Sequence, residues 1–209
     1  MNRKLLPLII LVLATPLVAQ EYPSYLIQSQ FVQEDKTITG HGMCVPIKVK
    51  GKKMLLTVAH VARNALGKDA DHIFVDFPVG WIRCKVVKIC PEGDMCLLEP
   101  MLKPPHDEVD LSKKDNEEKQ KVINPNYFKE KKITLREGEL VIKTERGNWL
   151  ANIDGFGHGS SGSPVFTPDG KLCGMGIAGV SIDGGKTMTL AVLVGTKQIK
   201  EFLTPQSEK

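Results

Sequence analysis

Three short segments of this chain carry side chains that could cooperate in nucleophilic chemistry, and one of them is Gly-Ser-Ser-Gly-Ser-Pro at residues 159–164. A serine that attacks a carbonyl carbon must stand free on a tight turn, with backbone N–H groups directed at the developing oxyanion. Glycine permits such a backbone conformation. The segment therefore fits a nucleophile loop, although taken alone it fits a flexible turn between two strands equally well.

A histidine follows the apolar run Leu55 to Val58, at a point where the chain changes to small residues. Imidazole has an unperturbed pKa close to neutrality, so it can accept a serine proton and later return it to a leaving amine. His60 is therefore the candidate general base. Considered by itself, a histidine at the end of a strand more often has a structural role.

A carboxylate stands directly before the apolar run Met95 to Leu98. This position predicts that Asp94 is partly buried, and a buried carboxylate needs a partner. The N–H of an imidazole would satisfy it and would fix the tautomer and orientation of the ring. Asp71 and Asp76 compete for this role, and a turn aspartate that caps the strand is the alternative interpretation. The position at the start of a strand favours Asp94.

Together these segments resemble the three signature blocks of chymotrypsin-like serine proteases, namely Thr57 to His60, Asp94 to Leu98 and Gly159 to Pro164. The order His, Asp, Ser matches that family, and the resemblance extends over about residues 40–195. It implies an all-β fold of two packed six-stranded antiparallel β-barrels, with the active site in the cleft between them. It also implies a serine endopeptidase that acts on protein or peptide substrates and needs no metal or other cofactor.

By this resemblance His60, Asp94 and Ser161 form the catalytic triad, since Ser161 is followed by glycine and, three places on, by Pro164. The N–H groups of Gly159 and Ser161 would form the oxyanion hole. The reaction implied is acyl transfer through a covalent acyl-enzyme intermediate. The alternative function is a catalytically silent barrel protein that binds peptides or partner proteins.

The resemblance also implies where a substrate would bind. Gly155, six residues before Ser161, occupies the position of the floor of the primary pocket, and no acid is obvious there. A preference for apolar or uncharged P1 side chains is therefore expected over a preference for basic ones. Ile177, Ala178 and Gly179 resemble the substrate-binding strand, although Ile177 replaces the serine that supports the triad aspartate in the family.

Two further departures from the family concern activation and cysteine pairing. Ser160 stands where zymogen-activated members carry an aspartate that binds a newly freed N-terminus, and no Ile-Val-Gly-Gly start is present. The chain is therefore predicted to be competent on folding, like bacterial and viral members rather than digestive ones. Val61 stands where digestive enzymes carry a cysteine, so Cys44 is predicted to lack its usual partner.

The elements that must position these side chains are short runs rich in Val, Ile, Leu and Thr, separated by Gly, Pro and Asn. Residues 20–110 are predicted to form the first barrel, the Lys-, Glu- and Asp-rich residues 111–132 a solvated linker, and residues 133–209 the second barrel with a short terminal helix. In the second barrel, separate strands are predicted at 133–135 and 140–144.

Residues 1–19 have the pattern of a targeting segment, because Arg3 and Lys4 precede the apolar run Leu5 to Leu13 and small or apolar residues reach Ala19. The run contains a proline and is shorter than the roughly 20 apolar residues that span a bilayer. A cleaved signal peptide is therefore predicted, and with it a secreted or periplasmic protein. An uncleaved anchor, through which the protein would contact a membrane, is the second choice.

Charge and motif spacing disfavour several other classes. A formal net charge of +4 over 209 residues gives little support to nucleic-acid binding. Cys84, Cys90 and Cys96 lack the close Cys-x-x-Cys spacing of zinc sites, which favours buried thiols or a disulfide over a metal. His60 has Asn64 rather than histidine four places on, which disfavours a metalloprotease. The order of the triad disfavours an α/β-hydrolase.

Overall fold

The fold is described from a computed structural model that covers residues 22–33, 36–64, 66–103, 108–127, 132–182 and 188–204. The predicted targeting segment at residues 1–19 lies outside these ranges. Within them, neither helix has the length and apolar character that a membrane crossing requires.

Six antiparallel strands form the first barrel: β1 Tyr25–Gln33, β2 Lys36–Val49, β3 Lys52–Thr57, β4 His72–Phe77, β5 Gly80–Cys90 and β6 Met95–Pro100. They close in the order β1-β2-β3-β6-β5-β4. Strand β4 shows why such runs form a barrel wall, because Ile73, Val75 and Phe77 alternate with less buried residues and point into the core. A four-residue helix, α1 Ala59–Ala62, follows β3.

Six further antiparallel strands form the second barrel: β7 Lys121–Asn126, β8 Thr134–Lys143, β9 Trp149–Ile153, β10 Pro164–Phe166, β11 Leu172–Ile182 and β12 Met188–Gly195. They close in the order β10-β11-β12-β9-β8-β7. Helix α2, Thr196–Leu203, follows β12. The predicted fold class, two six-stranded antiparallel barrels, is confirmed.

The predicted element boundaries differ from the structure in two places. Residues 121–126, assigned to the solvated linker 111–132, form β7 and close the second barrel. The prediction was wrong there because the Asn-Pro-Asn sequence at 124–126 is typical of a turn, yet all three of these residues are buried. The two short strands predicted at 133–135 and 140–144 are one strand, β8, in which the register against β9 shifts between Leu140 and Ile142.

The second barrel has an apolar core of its own, and a larger apolar core spans both barrels. The larger core contains buried residues of the first barrel, such as Leu56, together with Phe166 and Met175 of the second barrel and Phe202 of α2. The Lys88 ammonium of β5 donates a hydrogen bond to the Phe202 carbonyl and lies 4.7 Å from the centre of the Phe202 ring. Burial of a phenylalanine side chain contributes about 1.5–3 kcal/mol. These contacts fix the relative position of the barrels and therefore the shape of the cleft between them.

All five cysteines are free thiols, and Cys44, Cys84, Cys96 and Cys173 are buried. Removal from water raises the pKa of the last three to about 12, and it raises the pKa of Cys44 well above its usual range. Protonated, buried thiols are poor nucleophiles and poor metal ligands. These four cysteines therefore act as apolar core residues, and Cys44 lacks a disulfide partner.

Candidate active site

His60 and Asp94 are joined by two hydrogen bonds at the edge of the first barrel. His60 Nδ1 lies 2.7 Å from one carboxylate oxygen of Asp94, and the His60 backbone N–H donates to the other oxygen at 2.9 Å. An ionised carboxylate only accepts hydrogen bonds, so Nδ1 carries the proton and Nε2 is left with a free lone pair. This geometry leaves Nε2 with the lone pair that a base at His60 would need.

Local backbone conformation explains how these two side chains meet. Helix α1 turns the chain sharply after β3, which leaves the His60 side chain 47% exposed. Asp94 sits in the β5–β6 turn with a φ of 49°, and its N–H donates to the Pro91 carbonyl. Aspartate tolerates this left-handed conformation better than most residues do. The turn thus directs a carboxylate that is 24% exposed back towards α1.

The competing aspartates are engaged elsewhere. The Asp71 carboxylate accepts a hydrogen bond from the Val32 N–H at 2.7 Å, which, together with Lys68, lowers the pKa of Asp71. Asp76 lies on β4 opposite Leu26 and Trp81. Among the described hydrogen bonds, His60 pairs with Asp94 and with neither rival.

The predicted nucleophile loop packs against the first barrel beside α1. The Ser161 carbonyl accepts a hydrogen bond from the Met43 N–H of β2 at 2.7 Å. A Cβ atom added at Gly42 would lie 2.7 Å from the Ser161 carbonyl oxygen and 2.8 Å from a methyl group of Val61, the neighbour of His60. Ser161 therefore lies next to the helix that carries the candidate base.

The Ser161 hydroxyl makes no hydrogen bond to His60 in the part of the chain that the structure describes. The structure therefore joins two of the three predicted triad residues directly and places the third beside them. In serine and cysteine enzymes without substrate, this contact is often long and shortens when substrate binds.

The amide groups of the loop divide into two sets. The N–H groups of Ser160, Gly162 and Ser163 donate to backbone carbonyl oxygens at 2.8–3.0 Å. Those of Gly159 and Ser161 have no acceptor among the described residues, and Gly159 has a φ of 90°. These are the two groups predicted to form the oxyanion hole, and an oxyanion hole requires amides whose hydrogens are available to a substrate.

The predicted substrate-binding strand is an open edge of β11. Strand β10 covers β11 only as far as Met175, and from Ile177 onwards β11 pairs with β12 alone among the described strands. Ile177 is half-buried at a bulge, whereas Ala178 and Gly179 are exposed. Such an edge offers free N–H and C=O groups to which an extended peptide can add as a further strand.

Gly155, the predicted pocket floor, lies beside a positive charge that sequence reasoning missed. A Cβ atom added at Gly155 would meet the Arg136 guanidinium of β8 at 3.8–4.0 Å. Strands β7 and β8 bring Arg136 opposite Asn124, which is buried. The local sequence does not indicate this neighbour, because the register of β8 against β7 and β9 is what places Arg136 there.

A substitution at Gly162 tests how tightly the loop is packed. A Cβ atom there would lie 2.1 Å from the Met43 carbonyl oxygen, and the φ of 83° adds strain. We expect Gly162→Ala to lower the free energy of unfolding by about 2–5 kcal/mol, from strain and overpacking together. Gly51→Ala is the matched control, since Gly51 has a φ of 78° but open space around it. Urea unfolding that gave equal losses for both variants would contradict the packing described.

Comparison with known proteins is consistent with this arrangement. A family model for the trypsin-like peptidase domain matches residues 40–175. A search of curated proteins found no match.

Among solved structures, an HtrA-type protease, AlgW with a decapeptide, superimposes with a TM-score of 0.69 at 19% sequence identity. The match covers 89% of this chain and 65% of AlgW, so the chain spans about two thirds of the length of that protein. The Rv3671c protease from M. tuberculosis, in its active form, superimposes with a TM-score of 0.69 at 16% identity, over 91% of this chain and 85% of that one. At these identities the structural matches show a shared fold.

The family model spans the histidine block, the aspartate block and the serine block, and both barrels contribute to the matched region. The chain therefore belongs to the trypsin-like peptidase domain family.

Proposed function

We propose that this protein is a serine endopeptidase in which Ser161, His60 and Asp94 hydrolyse peptide bonds through an acyl-enzyme intermediate. The observation that carries the proposal is the pair of hydrogen bonds between His60 and Asp94, at 2.7 and 2.9 Å. The bond at Nδ1 fixes the tautomer and orientation of the ring, and the bond from the backbone N–H holds the carboxylate in place. Both matter for a base that must accept a proton at Nε2.

The reaction proceeds in two acyl transfers. Ser161 Oγ attacks the peptide carbonyl carbon while His60 Nε2 takes its proton, and the N–H groups of Gly159 and Ser161 stabilise the oxyanion. Collapse of the tetrahedral intermediate expels the amine, which takes the proton from His60 and leaves an ester on Ser161. Water then attacks the ester with His60 again as base, which releases the acid and restores Ser161. Asp94 stabilises the imidazolium in both steps.

The substrate we propose is an extended peptide that adds to the open edge of β11 at Ala178 and Gly179. Support comes from the uncovered edge of that strand and from AlgW, a protein of the same fold whose structure includes a decapeptide. The P1 side chain would approach Gly155 and the neighbouring Arg136 guanidinium.

Cleavage of a peptide library tests the activity and the P1 preference together. We expect cleavage after apolar or uncharged residues, with basic P1 residues depleted because no acid lies at Gly155. The products are identified by mass spectrometry, and the Ser161→Ala variant serves as the control for contaminating proteases. A strict preference for Arg or Lys would refute the assignment of the pocket, and no cleavage of any peptide would count against the endopeptidase.

The second candidate function is a catalytically silent protein that binds peptides on the same edge of β11. It is favoured by Ile177, which stands where the family carries a serine that supports the triad aspartate. In the structure Asp94 is instead held by the backbone and side chain of His60. Peptide binding to the wild-type protein without turnover would identify this second function.

A further inference from the structure

Strand β7 presents two buried amide side chains to the base of the nucleophile loop. Asn124 is 0% exposed and Asn126 is 1% exposed. Residues two apart on a strand point to the same face, and Val122 on that face lies in the core of the second barrel. Burial of an amide lowers the stability of the folded state unless the amide is hydrogen-bonded. The hydrogen-bond partners of these two asparagines therefore indicate their role.

The two asparagine side chains donate hydrogen bonds at both ends of the loop. Asn126 Nδ2 donates to the Gly155 carbonyl at 3.2 Å, just before the loop. Asn124 Nδ2 donates to the Pro164 carbonyl at 2.7 Å and to the Ser163 hydroxyl at 3.0 Å, at the end of the loop. One rigid strand therefore sets the distance between the two ends of the segment that carries Ser161.

Asn126 also reaches the middle of the loop. The Ser160 hydroxyl donates to Asn126 Oδ1 at 3.4 Å and accepts from the Gly157 N–H at 3.4 Å. The Tyr127 carbonyl oxygen lies 2.9 Å from the position of a Cβ atom added at Gly159, so the end of β7 also packs against one of the two candidate oxyanion amides. These contacts favour the loop conformation in which the Gly159 and Ser161 N–H groups remain available.

We propose that Asn124 and Asn126 are positioning residues that hold the nucleophile loop in its catalytic conformation. The inference rests on the proposed function. Ser160 carries no charge, so an ion pair from this position cannot order the loop, and the asparagine pair supplies hydrogen bonds in its place. The loop is then ordered by folding alone, without any cleavage of the chain.

The test compares three alanine variants for kcat and KM on one cleaved peptide. Misplacement of a catalytic group by about 1 Å costs roughly 100-fold in rate, so we expect Asn126→Ala and Asn124→Ala each to lower kcat about 10- to 100-fold. We expect KM to change little in Asn124→Ala, because the described hydrogen bonds of Asn124 involve neither the β11 edge nor Gly155, the proposed pocket floor. Asn148→Ala is the matched control, since Asn148 accepts a hydrogen bond from Gln198 in the same barrel but does not touch the loop.

A second readout separates positioning from a general loss of structure. A peptide aldehyde forms a hemiacetal whose oxygen occupies the oxyanion site, so its inhibition constant should rise in step with the fall in kcat. The isosteric Asn124→Asp variant removes the two donors while keeping the volume, and should lose at least as much activity at neutral pH as Asn124→Ala. If Asn124→Ala does not fold, Asn126→Ala carries the test alone.

The outcomes distinguish this inference from the proposed function. If the wild-type protein neither cleaves peptides nor binds the aldehyde, the proposed function fails and the inference with it. If the wild-type protein is active and both asparagine variants match Asn148→Ala in kcat and in aldehyde affinity, only the inference is overturned. A parallel loss of kcat and aldehyde affinity in both variants, with unchanged KM in Asn124→Ala, supports it.

Discussion

Ser161→Ala is expected to lower kcat about 10⁶-fold, because the hydroxyl that would form the acyl-enzyme is removed. The folded state should hardly change. The Ser161 side chain is half-buried and its hydroxyl has no hydrogen-bond partner in the described ranges, so the free energy of unfolding should stay within about 0.5 kcal/mol of the wild-type value. Steady-state hydrolysis of a library-derived peptide and urea unfolding measure the two effects.

Fluorophosphonate labelling provides the control for this variant. The wild-type protein should be labelled on Ser161, as located by mass spectrometry of the digested protein, and Ser161→Ala should not be labelled. Ser181→Ala, which changes an exposed serine on β11, should retain both the label and the activity. Comparable turnover by the Ser161→Ala variant would eliminate the proposed mechanism.

Asp94→Asn should lower kcat about 10⁴-fold, the size of effect that an incorrect histidine tautomer produces. The backbone N–H of His60 needs an acceptor, so the amide oxygen of the new side chain should take that place. The amide NH₂ then faces Nδ1, which must accept a hydrogen bond. The ring proton is forced to Nε2, and Nε2 can no longer accept the proton of Ser161.

The control for this variant is Asp76→Asn, which makes the same chemical change in the same barrel at a half-buried site on β4. Its kcat should equal that of the wild type. A His60–Asp94 pair with a purely structural role would show itself differently, because Asp94→Asn would then lower stability while the remaining folded protein kept most of its turnover. Measurement of kcat against the concentration of folded protein separates the two cases.

The sequence predicts the fold well where apolar residues alternate regularly or run in short blocks. It predicts His60 and Asp94 as partners because each stands at the boundary of an apolar strand, where a polar side chain can reach the rim of a barrel. Strand β7 was not predicted because its buried side chains include Asn124 and Asn126, whose hydrogen-bond partners lie 29–40 positions away in the chain. Such a partner is not visible in local sequence.

The side chain that lies beside Gly155 could not be predicted from local sequence either. The lack of an acid at that position is evident from the sequence. The neighbouring guanidinium, however, comes from Arg136 on β8, whereas Gly155 lies in the turn after β9. Which side chain approaches a glycine depends on the register of β8 against its neighbours, and the register shift in that strand was not predicted. Specificity is therefore harder to derive from the sequence than the catalytic chemistry.

The core shared by the two barrels also has a consequence for the timing of biosynthesis. His60 and Asp94 belong to the first barrel and Ser161 to the second. Phe202 of α2 contacts Lys88 of the first barrel, 114 residues earlier in the chain. A nascent polypeptide that has emerged from the ribosome only as far as Ser161 already contains the three reactive groups, but it lacks β11, β12 and α2, which hold the halves together. The proposed proteolytic activity therefore requires that translation has passed Phe202.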